Sequence, residues 1–372
     1  MDSLRPEVTI VGGGLSGTSL AYYMSLAGCQ VTLLDIGSVG ASGATAASRG
    51  IVRVYDPQVN LMRAALDGVR VWRDLEDLSP GLFTECGCMY LLDKANREDA
   101  QSAVLLSQAD DYPIEILKSA SEIVERAPML AQSELDKDQW AIWEPRGGFV
   151  NTRLASQVLM EAARQLGAVA LEGVEVTHLF QHSRGIEIHT DGGTIATPHV
   201  IVATGARLPE LIPDSKVFCR TIPLTAMRHP LLDEDVGSLY QQKCCVIDEN
   251  SKSYLRPEKG RFIYGGGAEQ VDGDSLAGCQ ADWQSNFLQN ARLARKLLND
   301  SSLHKVSGVA GYDAYTSSFE PVIKYPDDLH RVGVFAGFSG RGAKYIPSAA
   351  KLYSDRVSSF LFHMGKEEAE HA

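Results

Sequence analysis

Residues Val8 to Asp35 read VTIVGGGLSGTSLAYYMSLAGCQVTLLD. Val8 to Val11 is an apolar run of the length and kind that forms a strand buried on both faces. Gly12, Gly14 and Gly17 follow as G-x-G-x-x-G, with Leu15 and Ser16 inside the motif. A helical pattern with Leu20, Met24 and Ala27 on one side then runs to Gly28, a stop signal. Val31 to Leu34 is a second apolar strand, and Asp35 stands at its end. One glycine permits the tight turn, one lets backbone approach a pyrophosphate, and one lets helix and strand pack closely. First-turn N–H groups lack intrahelical partners and sit at the positive end of the helix dipole. Asp35 would accept hydrogen bonds from a ribose diol and repel a 2′-phosphate, which disfavours NADP. These residues predict a dinucleotide and leave FAD and NAD both open.

The 372 residues are 44% hydrophobic and 22% charged, enough for two substantial cores. A formal net charge of -12 argues against a general nucleic-acid or anionic-membrane partner. The seven cysteines are Cys29, Cys86, Cys88, Cys219, Cys244, Cys245 and Cys279. Their number is odd and no C-x-x-C occurs, so neither a disulfide framework nor a metal site is signalled. Cys86-Gly-Cys88 and the vicinal Cys244-Cys245 are the two places with redox potential. The plainer reading is small apolar residues in strands of a reduced protein. No secretory pattern precedes the first strand and no apolar stretch is long enough for a membrane span, so a cytoplasmic location is expected.

Along the chain, Gly37 to Gly50 is a small-residue loop that would let a flat ligand lie close to backbone, and it runs through Ser48 and Arg49 to Arg53. Leu61, Ala65, Val69, Trp72 and Leu75 share a helical face. Phe83 to Leu92 is expected as a strand. Residues 93–140 are expected to be polar and helical, with breaks at Pro113 and Pro128. Residues 143–151 read as a turn-rich connection, and a helix is expected over 153–166. Val169 to Val176 and Thr194 to Ala203 read as strands either side of a pair around His178 to His189, and Thr204-Gly205-Ala206 follows. Strands that resume after an insertion predict an α/β fold with a discontinuous Rossmann-like domain. Its parts are residues 1–82, 146–215 and 321–372, with a mixed-sheet substrate domain in 83–145 and 216–320. Tyr254 to Tyr264 reads as a hairpin with its turn at Pro257 to Gly260. By period two, Tyr254 and Arg256 share a face, as do Phe262 and Tyr264, and together they would floor a pocket. Residues 277–299 are expected to be helical.

Val332 to Ala336 is another strand, followed by Gly337, Gly340, Gly342 and Lys344, then a helix expected from about Ile346 with Ala349, Leu352, Val357 and Leu361 as its apolar residues. This second strand–glycine–helix unit places a helix dipole and a lysine where a reduced flavin carries negative charge, which favours FAD over NAD.

These motifs resemble the D-amino-acid-oxidase (DAO) superfamily of FAD-dependent amine oxidoreductases, within it most closely the monomeric sarcosine oxidases and N-methyltryptophan oxidases. The residues that carry the resemblance are IVGGGLSG with Asp35, the Ser48–Tyr55 stretch, Thr204-Gly205-Ala206, Tyr254-Leu-Arg-Pro257 and Gly337-Phe-Ser-Gly340-Arg341-Gly342-Ala343-Lys344. The resemblance implies an FAD domain of the glutathione-reductase type. It assigns cofactor contacts to Gly12, Gly14, Leu15, Ser16, Gly17, Asp35, Ser48, Arg49, Val176, Thr204, Gly205, Gly337, Gly340, Arg341, Gly342, Ala343 and Lys344. Lys344 matches the position that holds a substrate carboxylate, and Arg49, Tyr254 and Asp313 join it as the expected catalytic set. Arg53 lies one position from the family's second arginine.

Three departures stand out. Asp313 occupies the register where sarcosine-oxidase-like members carry a flavin-linking cysteine, so FAD is expected to be non-covalent. Other members carry an arginine there, so the charge is reversed. The lysine that promotes oxygen attack would fall near Ile263, which leaves O2 or another acceptor open. The expected reaction is oxidation of an N-substituted, cyclic or D-amino acid, or a related amine, to an imine by hydride transfer, in a tailoring role. Asp313 would pair with Lys344 or with a substrate cation. The alternatives are a flavin monooxygenase and a flavoprotein partner without turnover. An NAD-dependent dehydrogenase, which would need a catalytic histidine motif, ranks last.

Overall fold

The strand Glu7–Val11 lies inside a six-stranded sheet with the order Val322–Lys324, Val332–Ala336, Val200–Val202, Glu7–Val11, Gln30–Asp35, Val169–Glu172. Every pairing is parallel except the edge pair Val322–Lys324 with Val332–Ala336. The computed structural model describes residues 7–183, 185–228, 243–258, 261–266, 271–273, 283–301, 303–327 and 330–370. The helix Leu15–Leu26 follows the first glycine turn, with Leu20 and Met24 buried and Ala27 exposed as its C-cap. The helices Thr152–Gln165 and Gly342–Glu370 pack on it. A nine-stranded mixed sheet builds the other large layer. Two three-stranded sheets complete the architecture among the described residues.

Several expected elements divide where the backbone must turn. Phe83 to Leu92 is two strands, Phe83–Glu85 and Cys88–Leu91, in different sheets. Gly87 separates them at φ +80°, and all four residues of Cys88–Leu91 are buried. Thr194 to Ala203 likewise splits into Gly193–Thr197 and Val200–Val202, with Pro198 between them. The strand from Val169 ends at Glu172 before Gly173 (φ +73°), and Val176 opens the next sheet. Residues 143–151 are not a plain connection. Trp143 and Glu144 end the strand Ala141–Glu144, and Gly148–Val150 pairs with both Ile51–Val52 and Phe83–Glu85. The 93–140 segment is helical at Arg97–Ala109 and Ala120–Arg126 but also contains the strand Glu115–Leu117. The expected helix over 277–299 is present at Trp283–Leu297, and residues 277–282 lie outside the described residues.

The hairpin strands are Ser253–Glu258 and Arg261–Gly266. Pro257 is a strand residue opposite Phe262, not part of the turn. Tyr254 faces Gly265 while Leu255 faces Tyr264, so Tyr254 and Tyr264 point to opposite sides of the sheet. The shared aromatic floor expected from the sequence therefore does not form. Tyr264 is buried with Leu255 and Val246, its hydroxyl 2.8 Å from Ser253 Oγ.

The last helix begins at Gly342, four residues before the expected start, so Lys344 lies in its first turn. Leu352 is 66% exposed and does not belong to its buried face. Pro347 has no N–H to donate to the carbonyl of Ala343 four residues earlier. The indole N–H of Trp72 donates to that carbonyl instead, at 2.7 Å. Trp72 is fully buried on the helix Val59–Leu75, and Gly68 of that helix lets the two helices touch. A Cβ at Gly68 would come within 1.8 Å of the Lys344 carbonyl. Trp72→Phe keeps most of the apolar contact and orphans the Ala343 carbonyl. It is expected to lower unfolding free energy by about 1–3 kcal/mol, measured by denaturant titration.

Candidate active site

Both glycine turns open on one cavity of about 650 Å³. At the first turn, Gly12 adopts φ +112°, and a Cβ there would lie 2.5 Å from the Ala203 carbonyl. Gly17 has no room either, since a Cβ would reach 1.8 Å from Gly12 O. Asp35 holds the turn from below. Its Oδ2 accepts the Gly13 N–H at 2.5 Å and its Oδ1 accepts the Gly37 N–H at 2.7 Å. The helix N-cap Gly14 supplies no side-chain cap, and the Leu15 N–H donates to Thr45 Oγ1 at 2.9 Å. The turn thus presents backbone to the cavity, as a phosphate cradle requires.

At the second turn, Ser339 is held at φ +51°, a strained conformation for a residue with a Cβ. Its N–H donates to the Ala314 carbonyl (2.9 Å), and its Oγ accepts the Thr316 N–H (3.1 Å). Asp313 completes the hold, accepting the N–H groups of Ala314 at 2.7 Å and Gly340 at 3.0 Å. Asp313 therefore does not pair with Lys344. Burial pushes its carboxyl up to about 6, against the pull of those two N–H donors.

Lys344 pairs with a residue the sequence did not single out. Its Nζ donates to Asp56 Oδ2 at 2.9 Å. The Tyr345 hydroxyl donates to the same oxygen at 3.1 Å, and Arg341 Nε lies 3.7 Å from it. Asp56 and Lys344 are both nearly fully buried. Burial works to raise the Asp56 carboxyl, but Lys344, Arg53 and Arg341 outweigh it and hold Asp56 well below the usual range. Burial, with Arg53 beside it, pushes Lys344 down to about 7 despite Asp56. Asp56 precedes Pro57 in V-R-V-Y-D-P, a context that reads as a turn, so only its packing identifies it.

The cavity wall includes Gly12, Gly14, Leu15, Ser16, Asp35, Ser48, Arg49, Arg53, Val176, Thr204, Gly205, Tyr254, Asp313, Gly337, Gly340, Arg341, Gly342, Ala343 and Lys344. Gly17 is not on the wall, because it packs beneath Gly12. Arg256 is not on it either. Its guanidinium lies 3.9 Å from the centre of the Phe149 ring and donates from Nη1 to the Arg49 carbonyl at 2.8 Å. Arg256 thus supports Arg49 from behind and does not meet a ligand in the cavity. Burial pushes Tyr254 up to about 12, so it presents a neutral hydroxyl. Among the described residues on the wall there is no cysteine and no histidine.

Four polar atoms on wall residues are buried and have no hydrogen-bond partner within the described residues: Arg49 Nε, Arg53 Nη1, Arg341 Nη1 and Thr204 Oγ1. Three belong to guanidinium groups, and buried donors of this kind are costly unless satisfied. They suit a ligand rich in anionic and carbonyl oxygens, which FAD and a carboxylate both are. The glycine cradle and these donors fit the cofactor.

A family model described as DAO, FAD dependent oxidoreductase, matches residues 7–356. N-methyl-L-tryptophan oxidase of Yersinia pestis (strain Pestoides F) is 26% identical over 227 residues, which is 60% of this chain and 57% of that protein. The chain thus spans little more than half the length of such curated relatives. Among solved structures, L-proline dehydrogenase from P. horikoshii matches with a TM-score of 0.83, covering 95% of this chain and 94% of that one at 21% identity. Glycine oxidase from Geobacillus kaustophilus matches with a TM-score of 0.77, covering 95% of each chain at 22% identity. The family match takes in both glycine turns and the strands that carry them, and the chain belongs to the DAO family of FAD-dependent oxidoreductases.

Proposed function

We propose that the protein oxidises the C–N bond of an amino acid or related amine, N-substituted, cyclic or of D configuration, to an imine. The observation that carries this reading is the cationic group on the cavity wall. Arg53, Arg341 and Lys344 face one buried counter-charge, Asp56, Arg49 lies on the same wall, and the two guanidinium groups beside Asp56 each keep an unpartnered N–H. A substrate carboxylate is the natural complement.

The first glycine turn and Asp35 would hold the ADP half of FAD, and the second turn, Gly337 to Lys344, would lie beside its flavin. FAD when bound accepts the hydride. Arg53 and Lys344 clamp the substrate carboxylate, which fixes the direction of the α C–H bond and accounts for much of the catalysis. The same cations disfavour the ammonium form, so the substrate nitrogen binds neutral with its lone pair available. Tyr254 closes the wall beside them with a neutral hydroxyl. Arg256 keeps Arg49 in place through its carbonyl.

The purified protein is expected to be yellow. With Asp313 in the flavin-linking register and neither cysteine nor histidine among the described wall residues, acid precipitation should release all of the chromophore as free FAD. Anaerobic addition of a substrate from a panel of N-methyl, D- and cyclic amino acids should bleach it, and air readmitted afterwards tests oxygen as acceptor. A protein that no member of the panel bleaches would overturn the reading.

Carboxylate binding should also depend on pH with a definite sign. Acetate titrated against the holoenzyme, followed by flavin absorbance, should bind more weakly as pH rises. One step is expected near 6, where Asp313 gains negative charge, and one near 7, where Lys344 loses positive charge. Asp313→Asn should remove the lower step and Lys344→Met the upper. At pH below both steps, Lys344→Met should weaken acetate binding by about ten- to a hundredfold, the value of one charged hydrogen bond.

A further inference from the structure

Three thiols converge away from the cavity wall. The strands Cys88–Leu91 and Cys245–Asp248 are parallel partners, with Cys88 beside Cys245. Gly87, in its left-handed conformation, turns the chain just before Cys88 and brings Cys86 over the same spot. The Cys86 and Cys245 sulfurs are 4.0 Å apart. The Cys245 N–H donates to the Gly87 carbonyl at 3.0 Å, so the two backbones are one hydrogen bond apart. The sulfurs of Cys88 and Cys245 both lie 3.7 Å from the Gly148 carbonyl. Among the described residues no group of three His, Cys, Asp or Glu side chains has the arrangement to hold a metal ion. The cluster is therefore read as thiols.

The three are not equivalent. Cys88 and Cys245 are buried, whereas Cys86 is only half-buried. The hydrogen bond with Cys245, helped by the Arg256 guanidinium, holds the Cys86 thiol below its ordinary value against the effect of burial. Burial drives Cys245 well above it. A half-buried thiol made more acidic by its surroundings, 4.0 Å from a buried thiol made less acidic, is the arrangement of an attacking and a resolving cysteine.

We propose that Cys86 and Cys245 are a peroxide-oxidisable dithiol. The Cys86 thiolate attacks hydrogen peroxide. An S–O bond forms, the O–O bond breaks, and the departing hydroxide takes up a proton and leaves as water. The Cys245 sulfur then attacks Cys86, forming the S–S bond and breaking the S–O bond. The Cys245 proton leaves with that hydroxyl as a second water. In sum, two thiols and one peroxide give one disulfide and two waters, the sulfurs supplying the two electrons. The sulfurs must close from 4.0 Å to about 2.05 Å. The bridge would form behind Arg256, which carries the Arg49 backbone on its other side.

The test uses the flavin-loaded full chain and added hydrogen peroxide, so it does not depend on the substrate or the acceptor. After treatment, free thiols are alkylated under denaturing conditions, and a non-reducing digest is read by mass spectrometry. A Cys86–Cys245 peptide pair two hydrogens lighter than its parts is expected, and it should disappear on reduction. In Cys245→Ser, Cys86 should stop at the sulfenic acid and be trapped by dimedone. That trapping should be about tenfold faster than at Cys29, which is buried beside Ser358. Cys86→Ser should abolish bridge formation, and flavin content equal to the parent shows that a variant is folded. A bridge from Cys245 to Cys88 in place of Cys86, or Cys86 left as a free thiol at peroxide levels that oxidise Cys29, overturns the proposal.

Discussion

Asp56 joins two parts of the chain that lie 288 residues apart in sequence. Its carboxylate ties the strap that carries Arg53 to the first turn of the last helix, through Lys344 and Tyr345. Removing one partner of such a buried pair leaves an uncompensated charge and costs about 3–5 kcal/mol. Replacing the whole pair with apolar residues is often neutral. Stability alone therefore does not account for the arrangement. Its geometric effect is specific, because one carboxylate fixes one lysine and aligns two arginines at the edge of the cavity. It also sets the charge of that wall, since Lys344 is balanced while the arginines keep unpartnered donors.

Other carboxylates use the same device with backbone instead of cations. Asp35 holds the Gly13 and Gly37 N–H groups, and Asp313 those of Ala314 and Gly340. Glu144 accepts the N–H groups of Val54 and Tyr55 at 2.6 and 2.8 Å, and the Tyr112 hydroxyl at 3.0 Å. Loops beside a ligand cavity cannot satisfy their N–H groups through a ladder, and a buried carboxylate does this in two or three bonds. Each of these acids stabilises the segment whose N–H groups it accepts.

The last helix shows the same economy. Pro347 frees one carbonyl near its start, and Trp72 from another helix satisfies it. Gly68 lets the two helices approach to backbone contact at that point. The position of Lys344 thus rests on a proline, a tryptophan and a glycine, none of which touches the cavity.

Local chemistry was enough to read the two strand–glycine–helix units, because tight turns require glycine and buried strands require apolar runs over a few consecutive residues. The second unit, with Lys344, favoured FAD, and the DAO family followed from the resemblance of the motifs. Breaks that depend on which sheet a strand joins were not legible. Phe83 to Leu92 and Thr194 to Ala203 each look continuous, yet each serves two sheets. Nor was the facing of Tyr264, which follows from pairing register and not from its own period. The partners of charged groups were the least legible of all. Asp56 reads as a turn residue and Asp313 as a partner for Lys344 or for a substrate cation, but long-range packing seats Asp56 against Lys344 and sets Asp313 on the Gly340 turn. Sequence by itself determined the two glycine turns and the buried strands that lead into them, since their conformational demands are local. Only the tertiary structure decided which charges meet and which thiols touch, because those distances depend on segments far apart in the chain.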